Sequence, residues 1–371
     1  MVQKTVFDYI LESGTPDRIM ISGQMGSWIL TESNGEPATD VISWQDTSFA
    51  TTAALKLSEV FHDVYDSSSD SLMGNGAEDW PGAPWRGVAT ECLKIQEGDK
   101  RLFHTLSSWI GWELTNRKNH AIHVTDAAAS GLVRIPDLEW IEISSEYANR
   151  IIMPELLKST SELGTLEGTS IPLFAAVGDQ QASLLGAGLD LETCVLNAGT
   201  GGQVVKLISS SKDCTNKVRP YFGNVFFETV THIPSGRFVS KFLEECNEFF
   251  GTQHSWGWVW KDSQFYDLTN LEGITTWEFD SFLDNFFMDK GSAQSAKRVF
   301  LRGLGENFIS ALIKLELGAT KRIILAGGVA QSWAPMEQLI LTKVGIPAFR
   351  SPSIETTLKG LSQLSTQVLI R

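Results

Sequence analysis

The sequence predicts an α/β protein built as two lobes, and three observations carry that expectation. The chain has 371 residues, above the roughly 100–200 residues typical of one domain. Its second half reads as successive strands, "TCVLNAGTGGQVVKL", "KVRPYF" and "FETVTHI", followed by helical segments through residue 320. A strand–helix–strand unit then closes it, with "KRIILAGG" and "IPAFRSP" bracketing a helix that starts near Pro335. A meander followed by such a unit implies a mixed sheet with helices packed on it.

The remaining elements follow in chain order. In "TVFDYILESG" the apolar residues Val6, Tyr9 and Ile10 recur at helical spacing, and Gly14 and Pro16 end the pattern. "RIMISG" then reads as a short buried strand. Residues 65–87, rich in Ser, Gly, Asp and Pro, read as a loop or insertion. Helical patterning returns in "CLKIQEGDKRLFHTLSSWIGWELT", residues 92–115, and "IPLFAAVGD" at 171–179 reads as a strand that ends at an acid. No short repeat recurs at a fixed period.

Composition limits the partners. With 42% hydrophobic and 20% charged residues the chain can bury a sizeable core. A net charge of −14 argues against nucleic acid, whose phosphates are held by clustered Lys and Arg. An anionic nucleotide stays compatible, because backbone amides and a bound cation can supply local positive potential. The four cysteines, Cys92, Cys194, Cys214 and Cys246, lack CxxC spacing and fit reduced thiols. The N-terminus lacks the pattern of a secretory signal, and no apolar run approaches the ~18 residues of a membrane span. The expectation is a soluble, cytoplasmic protein acting on a small molecule, without nucleic-acid or membrane partners.

Chemistry is expected at strand ends, where α/β sheets place their sites. Asp179 stands between a small apolar run and the Gly- and Ala-rich "ASLLGAGL". There it can accept a proton from a hydroxyl or cap a helix that starts at Gln180, and the two roles are compatible. Gly199, Thr200 and Gly201 suit a phosphate-binding turn, because glycine admits close approach and open amides form an anion nest; a plain hairpin suits them equally. Gly327 and Gly328 end a strand and precede a helix capped near Ser332, with Pro335 in its first turn. Trp256, Trp258 and Trp260 alternate as in a strand or loop and read as packing residues. His120 and His123 have no acidic or Cys partners that complete a metal set and read as loop histidines. Glu244 and Glu245 read as a solvated helix face, and Arg302 as a packing residue of "LRGLGENFISAL".

Taken in order, "ISGQM" at 21–25, "ISWQD" at 42–46, "TDAAASGL" at 125–132, "GDQQASLLGAG" at 178–188, "NAGTGG" at 197–202 and "LAGGVAQS" at 325–332 resemble the FGGY carbohydrate kinases. The likeness runs over nearly the whole chain. Through "SGQM", "WQD", "GDQQAS", "LNAGT" and "RPYFGN" it leans toward the sedoheptulokinases of that family.

The resemblance implies a two-lobed ribonuclease H-like fold of the actin and hexokinase type, with a sugar-binding lobe over 1–188 and an ATP-binding lobe over 189–371. It implies ATP-dependent phosphorylation of a ketose, with sedoheptulose first and xylulose or ribulose as alternatives, and it allows a homodimer. Asp179 is then the general base, and Gln180 helps hold the sugar. Gln24 and Met25 match one sugar-binding loop, and Trp44 and Asp46 match the second wall. Gly199, Thr200 and Gly201 match a phosphate loop, while Gly327, Gly328 and Gln331 match the adenosine pocket. Mg²⁺ is implied by phosphoryl-transfer chemistry rather than by a ligand set in these residues.

Three departures stand out. Gly26 and Ser27 follow Gln24 and Met25 where many relatives carry "QMHG", and Ser48 stands where an Arg is usual. The family's opening strand, with its "DxGTT" phosphate loop, has no counterpart in these residues. The first lobe is therefore expected to be incomplete, as in a shortened form of an ordinary kinase, or in a non-catalytic sugar- or nucleotide-binding relative.

Overall fold

The computed structural model describes residues 5, 6, 8, 10, 12, 14–50, 60–61, 82–135, 137–209, 214, 216–263, 287 and 291–369. Most of the 65–87 stretch and the segment 264–286 lie outside the described residues. The chain divides into a first unit of residues 1–186, 209–226 and 357–371, and a second of residues 187–208 and 227–356.

The first unit is assembled from short strands with helices at their ends. Thr5, Val6, Asp8, Ile10 and Glu12 are helical, and Gly14 follows with φ 94°. Strands β1 (Ser22–Gly23) and β2 (Trp28–Thr31) precede helix α1 (Pro84–Cys92). Residues 84–87, expected in a loop, are therefore helical, with Pro at the start, where its missing N–H costs nothing. The expected helix over 92–115 is instead strand β3 (Arg101–Thr105) followed by helix α2 (Leu106–Leu114). Thr105 separates the two, its hydroxyl accepting from Ser108 N at 3.2 Å.

Strand β4 (Ala121–His123) then runs into the short helix α3 (Val124–Ala127), and β5 (Val133–Arg134) pairs with β6 (Glu139–Trp140). Next come β7 (Ile151–Ile152), β8 (Glu155–Leu157), β9 (Glu162–Thr165), β10 (Pro172–Phe174) and β11 (Val177–Gly178), and helix α4 (Asp179–Ala187). The order β2-β3-β7 makes the largest sheet among these, and β1 lies parallel to β11. Trp28, Trp85, Val88 and Phe103 fill one buried cluster. Burying an aromatic or aliphatic side chain contributes about 1.5–3 kcal/mol.

Of the two histidines expected in a loop, His120 is outside any helix or strand, and His123 is not. His123 ends β4 and is buried. The His120 ring lies 4.6 Å from that of buried His104, and His120 Nε2 is 2.9 Å from the Phe103 carbonyl. Burial, with His120 alongside, pushes His104 down to about 2, so it stays neutral.

The second unit holds an antiparallel pair, β12 (Thr193–Ala198) and β13 (Gly202–Ile208). The turn expected at 199–201 joins these two strands as a hairpin. After β14 (Lys217–Pro220), which belongs to the first unit, β15 (Phe226–Ile233) leads into α5 (Gly236–Phe250) and α6 (Trp256–Trp260). Then follow α7 (Ala293–Lys314), β16 (Arg322–Ala326), α8 (Gly328–Ser332), α9 (Met336–Val344) and β17 (Ala348–Arg350). In this unit β15, β13, β12, β16 and β17 lie side by side in that order, with β16 parallel to both β12 and β17. The mixed sheet read from the sequence is present.

The tryptophans at 256, 258 and 260 are helical rather than extended. Lys297 of α7 donates to the Trp258 and Lys261 carbonyls at 2.9 and 3.0 Å, satisfying the end of that helix. Ser332 ends a short helix instead of capping the next, which Pro335 opens. The core here is aromatic: Phe242 and Phe300 stack with centroids 3.9 Å apart. Helix α10 (Thr356–Leu369) returns the chain to the first unit, where Leu361 and Leu364 pack with Val177, Ala182 and Leu185.

Candidate functional site

In the first unit, two parallel strand ends bring the predicted residues together. Ser22 pairs with Val177 and Gly23 with Gly178, so Gln24 and Asp179 leave neighbouring strands at the same level. Closeness requires glycine at both positions. A Cβ on Gly23 would lie 2.9 Å from Ser107 Cβ, and one on Gly178 would lie 2.7 Å from Met25 Sδ and 2.8 Å from the Thr125 carbonyl. Gln24 is exposed, and Met25 is half-buried against Gly178. Residues 42–46 run beside this loop: Trp28 and Ile42 exchange backbone hydrogen bonds of 3.0 and 2.9 Å, and Trp44 N reaches Ser27 Oγ at 3.4 Å. Asp46 accepts from Ser48 N at 2.8 Å, and that bond, with one from the Ser48 hydroxyl, holds its carboxyl below the usual range.

Asp179 begins α4, and its carboxylate accepts from Gln180 N at 2.7 Å. Both expected roles, helix start and accessible acid, are compatible with this placement. Burial raises its pKa, while the Gln180 N–H, the Arg219 guanidinium and its own backbone N–H oppose the rise. Gln180 Oε1 accepts from Arg219 Nη1. Gln181 is buried, donating to the Pro220 carbonyl at 3.1 Å. Strand β14 therefore braces the polar triplet with the "RPYF" segment.

A second carboxyl stands behind the first. Asp126 is fully buried in α3, and its Oδ2 accepts from Thr105 Oγ1 at 2.6 Å and Ser107 Oγ at 2.9 Å. Next to it, Thr125 Oγ1 accepts from Gly178 N at 3.1 Å and lies 2.7 Å from His123 Nδ1. Thr125 N also donates to that nitrogen, so His123 is the neutral tautomer with its proton on Nε2; burial pushes it down to about 4.

Sequence reasoning left Arg219, Thr125 and Asp126 without roles, although the segments that hold them, "RPYFGN" and "TDAAASGL", stood out. The signal lay in an acid and a hydroxyl set within the otherwise small, apolar "TDAAAS". For Arg219 it lay in a guanidinium set between Val218 and Pro220.

In the second unit the two glycine turns are neighbours. Asn197 of β12 pairs with Ala326 of parallel β16, so residues 199–201 and 327–328 leave adjacent carboxyl ends. Gly327 has φ 86° and ψ 156°, and a Cβ there would lie 2.5 Å from the Ala198 carbonyl carbon. The first turn rests on the start of α5. Gly236 N and Ser235 Oγ donate to the Gly199 carbonyl at 2.9 and 3.0 Å, and Arg237 N donates to that of Thr200 at 2.9 Å. Thr200 and Gly201 are exposed, with open space where a Cβ on Gly201 would stand. Gln331 donates from Nε2 to the Leu325 and Ser351 carbonyls, both at 3.2 Å, tying β16 to the end of β17.

Among the described residues no group of three or more His, Cys, Asp or Glu side chains can hold a metal ion. None of the described residues is therefore assigned to Mg²⁺. Among the described residues no helix is long and apolar enough to cross a membrane.

Comparison with known proteins bears on family and fold. A family model described as the FGGY family of carbohydrate kinases, N-terminal domain, matches residues 2–186. A glycerol kinase of Clostridium beijerinckii is 30% identical over 194 residues, covering 49% of this chain and 39% of that protein. A glycerol kinase of Mycoplasma genitalium is 35% identical over 103 residues, 25% of this chain and 20% of that protein. The matched stretch thus spans less than half the length of these curated relatives. Among solved structures, gluconate kinase from Lactobacillus acidophilus superposes with a TM-score of 0.76 at 17% identity, covering 99% of this chain and 79% of that one. Xylulose kinase from the same organism gives a TM-score of 0.72 at 17% identity with the same coverage, 99% and 79%. Glycerol kinase of Plasmodium falciparum with ADP gives 0.71 at 17% identity, covering 100% and 79%. The mixed α/β fold is that of these kinases, and nothing in the comparisons singles out sedoheptulokinases. Through residues 2–186, the chain belongs to the FGGY family of carbohydrate kinases.

Proposed function

We propose that the protein is an ATP-dependent carbohydrate kinase in which Asp179 is the general base. The observation that carries this reading is the placement of Asp179: a half-buried carboxyl at the head of a helix, level with the Gln24 loop, with Arg219 beside it. Its carboxylate takes the proton of a sugar hydroxyl as that oxygen attacks a γ-phosphate. Positioning and charge neutralisation supply most of the rate in such a transfer. Gln24, Met25, Trp44, Asp46 and Gln180 hold the sugar in the first unit. In the second, the backbone of Gly199, Thr200 and Gly201 receives phosphate oxygens. Gly327 and Gly328 leave room for the adenosine, whose wall Gln331 braces through β16 and β17. The nucleotide brings Mg²⁺ with it.

The "RPYFGN" and "LNAGT" segments favour a seven-carbon ketose, with sedoheptulose 7-phosphate as product. The likeness to glycerol kinases favours a shorter polyol or ketose as a second reading. ADP release should be measured with sedoheptulose, xylulose, ribulose, glycerol and gluconate, on the 371-residue chain and on the longest product of its reading frame. Sugar-dependent release with a ketose supports the first reading, and preference for glycerol supports the second. No release with any of the five from either product would end the kinase proposal.

A further inference from the structure

We propose that Asp126 is a positioning residue for Asp179: its buried carboxyl stays neutral while Asp179 ionises, so the pair carries one negative charge, and the turn it anchors fixes the strand ends that bear Gln24 and Asp179. This rests on the Asp179 site described above and adds to it a residue that touches no substrate.

Both hydroxyl donors, Thr105 and Ser107, reach the same oxygen of Asp126, Oδ2, while Oδ1 is buried with no hydrogen-bond partner among the described residues. A buried carboxylate with one oxygen unsolvated is costly, whereas a proton on that oxygen removes the charge. From this node the contacts lead to both strand ends. Ser107, which donates to Asp126, packs against Gly23, one residue before Gln24. Thr125, adjacent in α3, accepts from Gly178 N, one residue before Asp179.

On the described elements in contact with α3, including β3 and α2, which carry its two hydroxyl donors, the charged or titratable side chains are Arg101 and His104 of β3, Glu113 of α2, His123 of β4, Glu155 of β8, Lys217 and Arg219 of β14, and Asp179 where β11 enters α4. Among these, Asp179 is the one whose charge registers on Asp126, and it acts in the same direction as burial. Together they push Asp126 up to about 7 against the pull of its two hydroxyl donors. Two like charges in one poorly solvated place cannot both form at little cost, and interacting carboxyls therefore lose their protons in separate steps.

The test is a carboxyl titration of the whole chain by NMR with ¹³C-labelled aspartate, Asp126 and Asp179 being assigned by loss of signal in Asp126→Asn and Asp179→Asn. Melting of each variant is followed alongside. In the unsubstituted chain, Asp126 is expected to titrate near neutrality and after Asp179. Asp179→Asn should move the Asp126 midpoint down, because Asp126 loses its proton beside ionised Asp179, whereas Asp126→Asn should leave the Asp179 midpoint in place, because Asp126 is still neutral when Asp179 ionises. Should Asp126→Asn fail to fold, the Asp179→Asn arm still decides. Titration of Asp126 in the ordinary carboxyl range near 4, an Asp126 midpoint that ignores Asp179→Asn, or an Asp179 midpoint that falls in Asp126→Asn, would overturn the proposal. Failure of the kinase reading would instead remove sugar-dependent turnover from every form of the protein and leave these titrations unchanged.

Discussion

Gly327→Ala should destabilise the protein by about 2–6 kcal/mol, although it adds a single methyl group. Two costs contribute. At φ 86° and ψ 156° the residue occupies backbone space that is essentially reserved for glycine, and holding an L-residue there costs about 1–3 kcal/mol. The new Cβ would also stand 2.5 Å from the Ala198 carbonyl carbon, 2.6 Å from its oxygen and 2.7 Å from Asn197 Oδ1. Two of these are backbone atoms of a central strand and cannot swing aside, so a further ~1–3 kcal/mol of overpacking is expected. Gly328 is the internal control. It begins α8, is exposed, and a methyl group added there would have nothing within 4 Å; Gly328→Ala should gain up to about 1 kcal/mol from helix propensity. Denaturant unfolding read by tryptophan fluorescence, with Trp260 and Trp333 buried in the same unit, compares the two. A loss below ~1 kcal/mol for Gly327→Ala, or an equal loss for Gly328→Ala, would refute the claim that close approach of β16 to β12 dictates this glycine.

Further outcomes follow from the same contacts. Gly360→Ala should lower the melting temperature despite alanine's better helix propensity, because its Cβ would overlap the Ala182 carbonyl where α10 crosses α4; a net loss of about 1–3 kcal/mol is expected, and a raised melting temperature would contradict it. Asp126 gives stability a pH slope: the folded chain keeps the proton that the unfolded chain releases, so stability falls as pH rises from the ordinary 3.8 through about 7. By linkage that window is worth up to about 4 kcal/mol, and Asp126→Asn should flatten it in unfolding measured across pH. Arg219→Met removes a cation that stabilises ionised Asp179, so the acid limb of sugar-dependent turnover should move to higher pH; an unmoved limb would separate Arg219 from the base.

Much of this was legible in the sequence for a physical reason. Glycines and acids at strand ends have few structural uses, so "VGDQQ", "NAGTGG" and "LAGG" announced positions that the structure places at carboxyl ends of strands. Local pattern failed where tertiary contacts override propensity. "RLFHT" looked helical because its neighbours are, but it forms β3 between β2 and β7. The tryptophans at 256–260 alternate in type yet coil into a helix whose end Lys297 satisfies from residues far along the chain. Asp126 and Arg219 escaped assignment for a related reason: their meaning lies in which residues they face, 21 and 39 positions away in sequence, and no local spacing encodes that.

The most direct measurement is turnover of the Asp179→Asn variant, followed as sugar-dependent ADP release beside the unsubstituted protein, with sugar binding measured separately. Asn keeps the size and the helix-start geometry while removing the proton acceptor. Sugar binding should be retained and kcat should fall by about 10²–10⁴-fold, the usual contribution of a positioned general base. Turnover equal to that of the unsubstituted protein would contradict the role given to Asp179.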